Sequence, residues 1–167
     1  MIKRYLTLWG VCAALSAFAQ SPGSLSDLVR DAGGDWMLGS WQGSTGDGGT
    51  LTHSFAWDLD KQIVVMRGKA GDMQYLGVTA LDPVSKEPRY VGFDSRGTVS
   101  KGTWSEDSGT LVLKLESESP ENGKRQMGIS FKKSGDGGLE IGLHRVDDNG
   151  AVAQPPGGTI TLKKVKG

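Results

Sequence analysis

His53 and His144 are the only two histidines in the chain, and its single cysteine, Cys12, lies near the N-terminus. Zinc is held by three or four ligands drawn from His, Cys and carboxylates, and two widely separated histidines do not supply that set. A serine nucleophile needs a base and a group that orients the base. Gly39-Ser40-Trp41-Gln42-Gly43 has the spacing of a nucleophile elbow, but it falls in a segment that reads as a first strand. Its glycines are therefore read as points where a sheet bends. Asp58-Leu59-Asp60 and Asp147-Asp148-Asn149-Gly150 offer oxygens to calcium without the closing Glu of a calcium loop, and they read as hairpin turns. Gly33-Gly34 and the glycines at 46, 48 and 49 lack the strand-to-helix setting of a phosphate cradle. No catalytic, metal or nucleotide site is assigned. An inward carboxylate beside His53 is the feature that would point to an enzyme.

The elements that must position these residues are mostly strands. Ser24 to Ala32 reads as a short helix, with Ser24 or Ser26 as its cap, Asp27 in its first turn and Gly33-Gly34 as its stop. Leu25, Leu28 and Val29 give it one apolar face. A helix so short is marginal alone, so it is expected to lie across an open end of the body. From Trp36 onward, short β-branched and aromatic runs are cut by nine clusters of Gly, Asp, Asn, Ser and Pro. Nine turns imply about ten strands. Most breaks are long enough only for hairpins, so the strands should pair as an antiparallel meander. Closing it removes both unpaired edges. The expected fold is all-β: an antiparallel up-and-down barrel of about ten strands with a short N-terminal helix.

Side chains alternate along a strand. Leu51, His53, Phe55 and Trp57 thus share a face, as do Leu111, Leu113 and Leu115, and Met127, Ile129 and Phe131. These are expected to point inward. Leu139, Ile141 and Leu143 oppose His144, which places His144 toward solvent. Ile63, Val65 and Arg67 share a face, and so do Arg89, Val91 and Phe93. Either arginine would then approach the interior, unless a one-residue slip turns it outward. A ten-stranded barrel encloses more space than a minimal one. The candidate ligand lining is His53, Phe55, Trp57, Leu113 and Phe131, with Arg67 as an anchor for an anionic group.

Lys3 and Arg4, the apolar run from Tyr5 to Leu15, and Ala17-Phe18-Ala19 have the layout of a secretory signal. The expected organisation is a signal over 1–19, a leader and short helix over 20–35, and the barrel over 36–167. Reading Cys12 instead as a lipid-anchored cysteine meets Val11 where a small residue is wanted. Cleavage would leave 148 residues (167 minus 19), one domain's length, without cysteine and so without disulfides. The nineteen basic and nineteen acidic residues would become seventeen and nineteen, since Lys3 and Arg4 are lost. Nothing in that balance suggests nucleic acid. The expected location is periplasmic or extracellular.

Gly39-Ser40-Trp41, after a short helix and before a second strand, resembles the Gly-x-Trp signature that opens the lipocalins. Gly77-Val78 with Leu81-Asp82-Pro83, then Phe93-Asp94-Ser95 with Gly97, then Gly102-Thr103-Trp104, resemble a group of uncharacterised, often exported bacterial domains. The resemblance runs roughly from Leu38 to Lys164 and implies a lipocalin-like (calycin-type) barrel, with Trp41 at its closed end and no established activity. Heme-binding nitrobindin barrels are similar in architecture and take their iron ligand from a histidine near the C-terminal end. This chain departs from them there: Gly158 to Lys164 contains no histidine. The heme site is not carried over and no cofactor is expected. His53 is read first as a hydrogen-bonded core residue.

Together these readings describe an exported module that binds a small, largely apolar molecule in a barrel lumen. The alternative is a surface-acting envelope interaction or inhibitor module, with a filled barrel as scaffold. Trp36 and Trp57 lie close to turns and would serve that alternative if they shared a rim patch.

Overall fold

In a computed structural model, residues 23–166 are described. The expected signal segment and Cys12 lie outside them. The ten strands are β1 (Gly39–Ser44), β2 (Thr50–Asp58), β3 (Ile63–Ala70), β4 (Met73–Leu81), β5 (Pro88–Asp94), β6 (Val99–Asp107), β7 (Thr110–Ser119), β8 (Gly123–Lys133), β9 (Leu139–Arg145) and β10 (Gly158–Val165). Every turn falls at an expected cluster, and in most of them an Asp, Glu or Ser side chain accepts from the turn's own backbone. Asp94 Oδ1 accepts from the Arg96 and Thr98 amides, and Asp147 Oδ1 accepts from the Asn149 and Ala151 amides.

Each strand pairs antiparallel with its sequence neighbour, and β1 pairs with β10 to close the barrel. Trp41 marks that seam. It is buried, its indole Nε1 donates to the Met37 carbonyl at 2.7 Å, and the Lys164 ammonium lies 5.2 Å from its ring centre. Trp36 meets it edge-on at 6.1 Å.

The helix α1 (Leu25–Asp31) begins at Ser24, whose Oγ accepts from the Asp27 amide. A short 3-10 turn, Asp35–Met37, which the sequence reading did not anticipate, leads from it into β1. Leu25 and Met37 are buried, so this N-terminal arm covers the barrel end formed by the tail of β2 and β4 and the start of β5 and β7. Burying a leucine fully contributes roughly 1.5–3 kcal/mol, which holds down a helix too short to persist by itself.

The structure decides the two arginines whose facing was left open and corrects the surroundings of His144. Arg67 and Arg89 are exposed on the outer face, and β3 instead buries Met66, with Val64 and Ala70 against the core. Ile63 to Met66 is apolar at four consecutive positions, so alternation there carries no sign of which face turns inward. On β5 the inward residue is Tyr90, leaving Val91 and Phe93 outside at 39 % and 52 % exposure. Gly77 and Gly92 make this arrangement fit, since a Cβ on either would come within 2.3 Å of the Tyr90 ring or hydroxyl. His144 does lie on the outer face, opposite Leu139 and Ile141, yet it is buried rather than solvated. The reason is the segment after β9, which folds back over it.

Candidate functional site

The middle of the barrel is filled with rings. His53 lies 4.5 Å from Phe55 and 5.8 Å from Phe131 between ring centres, and Phe131 lies 5.5 Å from both Phe55 and Trp104. Leu113 closes the same layer and is wholly buried. Four of the six expected lining residues, His53, Phe55, Leu113 and Phe131, therefore come together. Trp57 is half-buried at the rim of β2, outside the core cluster, and Arg67 is on the outside wall.

Two polar side chains accompany the rings. His53 Nδ1 and the Tyr75 hydroxyl are 2.6 Å apart, while His53 Nε2 is buried with no partner among the described residues. A buried polar atom left unpaired costs about 1–3 kcal/mol, and neutrality is the cheaper state for this ring. Burial accordingly pushes the His53 pKa down to about 4 and pushes the Tyr75 hydroxyl well above its ordinary value, with nearby Tyr90 adding to the effect. Tyr90, also raised by burial, is pushed up to about 12. Both tyrosines stay protonated. Gly68 provides the room for Tyr75, since a Cβ there would overlap the phenol ring at 2.1 Å. The sequence reading placed His53 inward but missed both tyrosines; the pairing of inward aromatics with inward glycines on the next strand was the available signal.

Open space lies lower, at the end that α1 covers. A cavity of about 70 Å³ is walled by Leu25, Leu28 and Val29 of the helix and by Phe55, Trp104 and Leu111 of the barrel, with Val64, Thr79 and Pro88 completing it. The only side-chain hydroxyl on this wall, Thr79 Oγ1, accepts from Trp104 Nε1 at 3.0 Å. The cavity therefore presents an almost wholly carbon surface. It is the lower mouth of the lumen, and Phe55 divides it from the His53 layer.

His144 anchors a second buried region, on the outside. Its Nδ1 lies 2.8 Å from the Ala153 carbonyl and its Nε2 lies 2.8 Å from Ser130 Oγ. A carbonyl only accepts, so Nδ1 donates to Ala153, and Nε2 shares a proton with the Ser130 hydroxyl. That is a serine–histidine pair, but the covering segment buries it: a Cβ on Gly128 would meet Val152 at 2.7 Å, and one on Gly142 would meet Pro156 at 3.2 Å. Both partners are at most 9 % exposed. The geometry suits a pin holding the segment to the wall.

Among the described residues there is no group of three or more His, Cys, Asp or Glu side chains placed to hold a metal ion, and no helix is long and apolar enough to cross a membrane. No protein-family model matches the chain, and no curated protein matches it significantly.

Proposed function

We propose that this chain is an exported binding module for a small, uncharged, largely apolar molecule, taken up at the helix-covered mouth of the barrel. The observation that carries the reading is the cavity between α1 and Phe55, Trp104 and Leu111, whose wall surface is almost wholly carbon. Binding sites of this type are concave, mostly apolar and near barrel mouths. The secretory layout of residues 1–19 and the resemblance to exported lipocalin-like domains support the location.

An apolar cavity of about 150 Å³ accepts benzene, roughly twice the volume here. A ligand of that size must raise α1 from the barrel end. The helix suits this role because it has two turns, few buried side chains and glycines at 33 and 34 as a hinge.

The test is a titration with benzene, toluene, naphthalene and decanol, followed by tryptophan fluorescence and melting temperature. At least one compound is expected to saturate and raise the melting temperature, and Leu28→Trp, which fills the cavity, is expected to abolish that response. If no compound saturates, or if Leu28→Trp leaves the response intact, the reading is wrong.

A second reading, a surface-acting module on a filled scaffold, draws on Val91, Phe93 and Val99, exposed together on the outer wall at 39 %, 52 % and 41 %.

A further inference from the structure

The outer wall of β3 to β7 carries an ordered row. Cross-strand pairing aligns Arg67 with Leu76, Leu76 with Phe93, Phe93 with Val99 and Val99 with Glu118. One step toward the helix-covered end, Val65, Val78 and Val91 align in the same way and lead to Lys101. All these residues are on the outside of the barrel, and the apolar ones stand directly opposite one another on neighbouring strands, the arrangement in which cross-strand side chains pair. With about 4.8 Å between strands and about 3.4 Å of rise per residue, such a block covers roughly 200–300 Å² of wall. A block of that size is within what an ordinary monomer surface carries, so it is the order of the charges around it that gives it meaning. The barrel has no free strand edge, so the patch cannot be serving an edge-to-edge contact.

The ends of the Phe93 row are opposite in charge and equal in distance from its centre. Arg67 lies two strands to one side of Phe93, and Glu118 lies two strands to the other. Both are exposed, and neither takes part in a salt bridge among the described residues. A two-fold axis parallel to the strands, lying in the contact plane at Phe93, superposes the row on its own reversed copy. Phe93 then faces Phe93, Leu76 faces Val99, and Arg67 faces Glu118 twice. One row lower, Val78 faces Lys101, whose hydrocarbon stem can cover it while the ammonium reaches water. The wall is convex, so the apolar residues touch first. The two flanking pairs, each about 10 Å from the axis by strand spacing, are reached only by long side chains, and arginine and glutamate are long.

We infer that the outer face of β3 to β7 is a dimerisation surface, whose occupant is a second copy of this chain in isologous contact. The self-complementary order of cation, apolar centre and anion selects that occupant over a lipid surface, for which Glu118 would be repulsive. The small patch sets a weak, transient dimer.

Sedimentation equilibrium of the secreted protein, from low micromolar to near-millimolar concentration, is the test. A monomer–dimer equilibrium is expected. Phe93→Glu should abolish it without lowering the melting temperature, since the side chain points outward. Arg67→Glu and Glu118→Arg should each weaken the dimer at least tenfold, and the double reversal should restore most of the loss. Three results would overturn the inference: a wild-type monomer throughout, a dimer indifferent to Phe93→Glu, or charge reversals that add without rescue. A monomer that instead binds anionic vesicles would replace it with a lipid surface.

Discussion

His53 and His144 are buried to nearly the same extent, 4 % and 5 % exposed, by opposite means. His53 faces inward among rings, makes one hydrogen bond and leaves Nε2 unpaired. His144 faces outward, is covered by the segment between β9 and β10, and has both ring nitrogens paired. The first histidine burdens the fold with an unsatisfied atom, while the second fastens one part of the fold to another. Strand alternation decides which side of a wall a residue occupies. It does not decide whether that side is wet, because a loop folding back from further along the chain can dry it.

The largest effect expected from breaking this contrast comes from Phe131, whose ring contacts those of His53, Phe55 and Trp104. Phe131→Ala should cost about 3–5 kcal/mol in denaturant unfolding. The next is the pH response of His53. Its pKa falls from 6.5 to about 4 on folding, so between those values the unfolded chain binds the proton and the native chain does not. Stability from this residue is therefore unaffected above pH 6.5, declines as pH falls toward 4 and levels off below. The full loss is on the order of 3 kcal/mol. His53→Phe should flatten that part of the pH–stability curve, and a wild-type curve already flat there would refute the buried neutral imidazole.

Loosening the outer pin should have a smaller and local effect. His144→Ala removes both hydrogen bonds and should cost about 1–3 kcal/mol. Hydrogen exchange should quicken first at the Ala153 and Gly157 amides, which now donate to the Arg145 and Leu143 carbonyls. Equal acceleration across all ten strands would argue against a local fastening. The smallest expected effect is that of Arg67→Ala: an exposed side chain without a salt bridge should change monomer stability by less than about 0.5 kcal/mol and leave uptake of apolar compounds unchanged.

The barrel was legible in the sequence because turn chemistry is local. Asp82, Asp94 and Asp147 bond amides a few residues on, and nine such breaks already count the strands. Inward faces were legible where apolar and polar residues alternate, as along Leu111 to Glu116 and Met127 to Lys132. They were not legible along Ile63 to Met66, where both faces are apolar, or along Arg89 to Phe93, where the outer face is the more apolar one. The candidate cavity was half legible: Phe55 was expected to face a ligand, and the helix was expected across one end. Its other walls, Trp104, Leu111 and Val64, depend on how far each strand extends toward that end, a property of stagger between strands rather than of any one strand. The cover over His144 was not legible because its contacts, Val152 against Gly128 of β8 and Pro156 against Gly142 of β9, join residues well apart in the sequence.

Methyl NMR of the leucine and valine side chains during a titration with toluene tests the central claim most directly. Saturable shifts at Leu25, Leu28, Val29 and Leu111, with Val91 and Val99 unmoved, are the predicted result. Shifts confined to Val91, Val99 and Leu76, or no saturable shift anywhere, would contradict a binding site beneath the helix.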